Sequence, residues 1–238
     1  MCTGRHGSAT HATDATDATD TVERMPPSSP ESSPALSIDC TFGHTGEIGR
    51  LTTTVRAAEL VVLTGANGAG KSTLVDTLAG ELATRSGTVL VSDRESGVPL
   101  DPATPAAAGT VVRIADPAFL PDLTVGEHVR LLARQAGTTQ DALLADSAAW
   151  QVWDLPDTLP ARLSSGQRQR AHLGLQLAVA AATGAPVLVL DEPERHLDAA
   201  WVRVLCAELR RAGDRGAAVV VASHSPEVTD VADRVIGL

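Results

Sequence analysis

Lysine is almost absent from this 238-residue chain: of nineteen basic residues, eighteen are arginine and one is Lys71. Tyrosine is missing altogether, phenylalanine occurs twice and tryptophan three times, so few rings are available for stacking on a base. Three cysteines, Cys2, Cys40 and Cys206, have neither metal-ligand spacing nor an even count, which points to ordinary thiols in a reducing compartment. No stretch approaches the roughly 18 apolar residues that span a bilayer. Residues 1–7 lack the apolar run of a signal peptide, so a soluble, cytoplasmic protein is expected. Excess positive charge is lacking too. The net charge is −10; residues 1–34 hold five acids and two arginines, −3, which leaves −7 for the remainder. A chain without a basic face is a poor match for the phosphate backbone, so nucleic acid is not an expected partner.

What is present organises around the lone lysine. Gly65-Ala66-Asn67-Gly68-Ala69-Gly70-Lys71-Ser72-Thr73 fits G-x-x-x-x-G-K-[ST], the phosphate-binding loop. A compact ammonium on a flexible stem can reach between two phosphates, where a planar guanidinium needs more room. Glycines let the backbone curl around the anion, and the following helix turns its positive end toward it. Ser72 would place a hydroxyl on the Mg²⁺ that bridges the phosphates.

Three further segments follow in order. Leu163-Ser164-Ser165-Gly166-Gln167 precedes a long amphipathic run, with Ser164 or Ser165 as the helix cap. Val187-Leu188-Val189-Leu190-Asp191-Glu192 is an apolar strand ending in two carboxylates, and Ala222-Ser223-His224-Ser225 follows another apolar strand. Together with the phosphate loop, this set closely resembles the ATP-binding cassette (ABC) ATPases over residues 36–238. The resemblance implies Walker A at Asn67, Gly68, Ala69, Gly70, Lys71, Ser72 and Thr73. It implies the signature at Ser164, Ser165, Gly166 and Gln167, which grips the γ-phosphate of ATP held by an opposing subunit. Asp191 is implied to hold Mg²⁺, Glu192 to polarise the attacking water, His224 to contact the γ-phosphate, and Asp198 to be the D-loop aspartate.

Three departures from the family pattern stand out. Ser165 occupies a position usually given to glycine. Ala115 stands where the family has a glutamine that helps ligate Mg²⁺ and senses the membrane partner. Either the neighbouring Asp116 substitutes as an oxygen ligand or that contact is lost. The adenine-stacking ring expected some two dozen residues before the phosphate loop has Phe42 as its best candidate, with His44 behind it; packing at a strand end is the other reading of Phe42.

Residues 1–34, with a short Ala-Thr-Asp repeat and a Pro/Ser stretch, read as a disordered low-complexity tail. Residues 35–238 read as the cassette. Strands are expected at 36–42, 51–56, 60–64, 87–91 and 111–114, and helices at 71–83, at 124–136 from a Thr124–Glu127 capping box, and at 139–150. Strand and helix then alternate to the end. This pattern predicts an α/β fold: a P-loop core of mostly parallel sheet with helices on both faces, a small antiparallel β region and a helical insert at roughly 116–163. The expected function is the ATP-hydrolysing subunit of an ABC transporter. It would dimerise with itself or a paralogue over ATP and Mg²⁺, and sit on the inner face of the membrane through separate transmembrane permease subunits. A soluble ABC-type ATPase in cofactor assembly or nucleic-acid work, or an ATP-binding switch with weakened hydrolysis, is the alternative.

Overall fold

The computed structural model describes residues 34–238 except Glu95 and Pro156. Along the chain run β1 (Leu36–Phe42), β2 (Gly49–Val55), β3 (Leu60–Thr64), α1 (Lys71–Leu78), β4 (Ser86–Ser92), β5 (Pro99–Leu100) and β6 (Val111–Ile114). Then come α2 (Val125–Gln135), α3 (Gln140–Asp146), α4 (Ser165–Thr183), β7 (Val187–Asp191), α5 (Ala199–Asp214), β8 (Ala218–Ala222), α6 (Pro226–Asp230) and β9 (Arg234–Gly237). The expected tail lies outside the described residues, apart from Pro34.

Two sheets result. A parallel one runs β6-β7-β8-β3-β9, and an antiparallel one runs β2-β1-β4-β5. The α/β expectation, with its parallel core and antiparallel region, is what the chain adopts. Alternation along the parallel strands explains why both faces of that sheet are covered. Leu60, Val62, Leu188, Leu190, Val219 and Val221 face one core, shared with α4 and α5. Val61, Leu63, Val187, Val189, Val220 and Ala222 face the other, shared with α1 and with Leu36, Ile38 and Val89 of the antiparallel sheet. Strands with apolar residues on both sides cannot sit at a wetted surface.

Capping places the helices. Thr124 and Glu127 form the expected capping box of α2, and α3 follows it between β6 and α4. Ser164, rather than Ser165, caps α4: its hydroxyl accepts from Gln167 N–H while Gln167 Oε1 accepts from Ser164 N–H. Two predicted helices are shorter than their sequence pattern. α1 stops at Leu78 because Gly80 turns left-handed at φ 77° and the Asp76 carbonyl takes the N–H groups of Glu81 and Leu82. The predicted 139–150 helix breaks after Asp146 into a 3-10 turn that ends at a left-handed Gln151. β9 was not foreseen; its four residues pair with β3 as Val61↔Arg234 through Thr64↔Gly237. Among the described residues, no helix is long and apolar enough to cross a membrane.

Candidate functional site

Four adjacent parallel strands release the candidate residues at one edge of the sheet. β3 leads into the phosphate loop, β7 ends at Asp191, β8 leads to Ser223 and His224, and β6 leads to Ala115 and Asp116. The carboxyl edge of such a sheet is where ligands bind, because loops diverge there and helix N-termini face it.

The phosphate loop is shaped by its glycines. Gly68 and Gly70 have φ of 84° and 97°, a region side-chain-bearing residues avoid. Gly70 begins α1 without any side-chain cap, so the first-turn N–H groups stay open to an anion. Lys71 is only 6% exposed, and its Nζ donates to the carbonyls of Gly65 at 3.0 Å and Ala66 at 3.2 Å. The ammonium is therefore pre-positioned across the mouth of the loop. Asn67, Gly68, Gly70, Lys71, Ser72 and Thr73 line a cleft of about 590 Å³ together with Ile48, Glu192, Arg195 and His224.

Asp191 and Ser72 line a second recess, to which Glu192 and Arg195 also belong. Burial holds the Asp191 carboxyl above the usual carboxylate range, although the neighbouring Ser72 hydroxyl favours its ionised form. Asp191 Oδ1 is buried with no partner of its own. An orphaned carboxylate oxygen beside a hydroxyl is a set of hard oxygen donors, and it fits Mg²⁺, which takes few protein ligands and completes its shell with phosphate and water.

Glu192 sits on strained backbone, φ 44°, with its N–H bound to the Ala222 carbonyl at 2.8 Å. A left-handed glutamate is uncommon and costs energy, and such strain gathers at working sites. Glu192 Oε2 accepts from Arg195 Nη2 at 2.7 Å, and Oε1 lies 3.6 Å from His224 Nε2. Glu194 fixes the histidine: its Oε1 accepts from the Ser223 hydroxyl at 2.6 Å and from His224 N–H at 2.9 Å.

The signature residues stand elsewhere. Ser164, Ser165 and Gln167 are exposed at the start of α4, and Gly166 lies against the next segment, where a β-carbon would sit 2.9 Å from the His196 carbonyl oxygen. Asp198 caps α5, accepting from Ala200 and Trp201 N–H. These residues do not line the phosphate-loop cleft of their own chain.

Phe42 and Asp116 have surroundings of their own. Phe42 is 1% exposed, and β-carbons added at Gly49 and Gly70 would lie 2.7 and 2.9 Å from its ring. The ring is packed beneath the phosphate loop, which favours the reading of Phe42 as a residue packed at a strand end. Ile48, 47% exposed at the cleft, supplies the apolar surface there instead. Asp116 lines a recess of about 390 Å³ with Ser72, Asp191 and Glu192, but its Oδ1 is taken by Arg195 Nη1 at 3.0 Å. Asp116 thus shares the recess of the expected metal ligands Ser72 and Asp191 while one of its oxygens is engaged by Arg195. Sequence reasoning missed Ile48, Glu194 and Arg195. The charged run Glu194-Arg195-His196 between Asp191 and Asp198 was the only available signal for the last two.

Behind this loop, the His172 imidazole is 5% exposed and packs edge-on to Phe119, centroids 5.9 Å apart. Burial lowers its pKa to about 4, against the opposing effects of the Ala115 carbonyl and Asp116.

Residues 48–195 match the protein family described as ABC transporter. The chain is 36% identical over 194 residues to the cytochrome c biogenesis ATP-binding export protein CcmA of Novosphingobium aromaticivorans, covering 81% of this chain and 88% of that one. It is 32% identical over 205 residues to the ribose import ATP-binding protein RbsA 3 of Rhizobium meliloti, covering 83% of this chain but only 39% of that protein. Among solved structures, an ATP-binding subunit of an ABC transporter superposes with a TM-score of 0.72 at 24% identity, covering 86% of this chain and 85% of the other. A dimeric cassette bound to ADP and Pi gives 0.70 at 20% identity, covering 85% and 93%.

Proposed function

The chain belongs to the ABC transporter family, and from that premise we propose that it binds and hydrolyses ATP as the energy-coupling subunit of a transporter. One observation carries the reading: the Glu192 carboxylate and His224 imidazole open onto the same cleft as the phosphate loop and Lys71. Asn67 to Thr73 would wrap the β- and γ-phosphates, with Lys71 neutralising charge between them. Ile48 would cover one face of the adenosine. Ser72 and Asp191 would hold Mg²⁺, which supplies electrostatic stabilisation of the phosphate charge when bound. Glu192 Oε1 takes the proton of the attacking water as its oxygen bonds to the γ-phosphorus and the bond to ADP breaks. His224 orients that water and the γ-phosphate.

The exposed signature, Ser164 to Gln167, together with Asp198, has no ligand within its own subunit's cleft. A second subunit, identical or paralogous, placed face to face would set this helix N-terminus on the γ-phosphate of the opposite ATP. Closing and reopening of that pair would drive separate transmembrane permease subunits, with this chain held at the inner face of the membrane through them.

The test is Lys71→Ala with ATP and Mg²⁺ in a calorimeter. Affinity is expected to fall at least about tenfold, because the loop loses its only side-chain cation. An unchanged dissociation constant would refute the assignment.

A further inference from the structure

Arg195 lies in the turn between β7 and α5, three residues beyond Glu192, and its fork joins two carboxylates that arrive from different strand ends. Nη2 donates to Glu192 Oε2 at 2.7 Å, and Nη1 donates to Asp116 Oδ1 at 3.0 Å, across 79 positions of sequence. We propose that Arg195 is a positioning residue for ATP hydrolysis: it fixes the Glu192 carboxylate, and its second grip on Asp116 ties that placement to the loop after β6. This rests on the reading of Glu192 as the group that activates water.

The geometry supports orientation over stability. Arg195 is 49% exposed and Asp116 81%, and ion pairs so open to water add little to folding. The chemistry of the fork is more telling. Guanidinium nitrogens are rigidly spaced and cannot rotate independently, so a partner held by one nitrogen constrains what the other can hold. With Oε2 occupied, Oε1 is the Glu192 oxygen that remains toward His224 and the phosphate-loop cleft. The backbone contributes the same way, because Glu192 N–H is bound to Ala222 and its φ is left-handed. The main chain and one carboxylate oxygen are therefore both anchored, and a single oxygen is presented. Without Arg195 the carboxylate turns about its last torsion, and the base is in place only part of the time.

Asp116 adds a second control. It follows Ala115, whose carbonyl lies on the buried His172, and both Ala115 and Asp116 line the recess with Asp191. Any displacement of the 115–117 loop pulls on Nη1 and, through the fork, on Glu192. A lysine at position 195 keeps the charge but cannot span both carboxylates.

The experiment compares the full chain with Glu192→Gln, Arg195→Ala, Arg195→Lys, Asp116→Ala and the Arg195→Ala/Asp116→Ala double variant, at saturating Mg-ATP. Arg195→Ala is expected to lose about tenfold or more in kcat while ATP affinity stays within about twofold and melting temperature is unchanged. Arg195→Lys should recover part of the loss, and guanidinium chloride at millimolar concentration should raise turnover in Arg195→Ala but not in the wild type. Asp116→Ala should lose less, and the double variant should be no slower than Arg195→Ala alone. Wild-type kcat in Arg195→Ala, or the same fractional loss in kcat and affinity, overturns the positioning role. Independent multiplication of the two single losses overturns the link to Asp116. Wild-type turnover in Glu192→Gln, or no hydrolysis by the wild-type chain, refutes the underlying reading of Glu192 and not this inference alone.

Discussion

Gly174, in the middle of α4, has no β-carbon because Trp150 occupies its place: one added there would lie 2.7 Å from the Trp150 Cβ and 2.9 Å from its Cγ. Trp150 is fully buried and stacks on Trp201, ring centroids 6.3 Å apart, while Arg170 lies over Trp201 at 4.4 Å. Gly174→Ala should therefore destabilise the fold by about 1–3 kcal/mol, although alanine is the better helix former. Urea unfolding checks this, and a stabilised variant would contradict the packing.

Phe42 and Ile48 should separate cleanly on mutation. Phe42→Ala empties a core position and is expected to cost about 3–5 kcal/mol in stability. Ile48→Ala should leave stability nearly unchanged and weaken ATP by a factor of about 5, from the apolar surface lost over adenosine. Inorganic triphosphate, which has no base to cover, should bind both proteins alike. Equal weakening of ATP and triphosphate by Ile48→Ala would argue against contact with the nucleoside.

Glu192→Gln should retain ATP and accumulate a closed pair of subunits, since on the proposed reading only the acceptor of the water proton is removed. Light scattering with ATP and Mg²⁺ is expected to show twice the subunit mass. A monomer under those conditions would speak against the face-to-face arrangement.

His172 should make the fold acid-sensitive. Its pKa is depressed to about 4 in the folded chain, against 6.5 for the free side chain. As pH falls from 6.5, the unfolded chain takes up the proton first. Stability is complete above that pH and is lost progressively down to about 4, by on the order of 3 kcal/mol. Urea midpoints at pH 7 and pH 4.5 should differ by less in His172→Gln than in the wild type. Identical pH dependence in the two proteins would show that another group is responsible.

The sequence made visible those residues whose chemistry admits few substitutes. Lys71 was conspicuous as the only lysine, Asp191 and Glu192 because carboxylates ended an apolar run, and Thr124 with Glu127 because a capping box is a local pattern. Properties that depend on distant partners were hidden. Phe42 has the right residue type near the phosphate loop, but only the packing of Gly49 and Gly70 reveals that its ring is covered. Arg195 is one arginine among eighteen, and nothing local signals that Asp116 meets it across 79 positions. β9 contains only two strongly apolar residues in a row, Val235 and Ile236, and becomes a strand because β3 offers an unpaired edge.

That edge has a consequence for biosynthesis. β3, which leads into the phosphate loop, is hydrogen-bonded on one side to β8 and on the other to β9. Both neighbours are translated more than 150 residues after β3 itself. A ribosome that has made Lys71 has thus made a loop with no wall to lean on, and contacts of such sequence separation form slowly. Until residue 222 emerges, β3 has neither ladder partner, and its Val-Val-Leu run is a sticky edge that needs shielding. Nucleotide can begin to stabilise this fold only once β8 has been made, so a premature stop within β8 should yield aggregate instead of a weakened ATP binder.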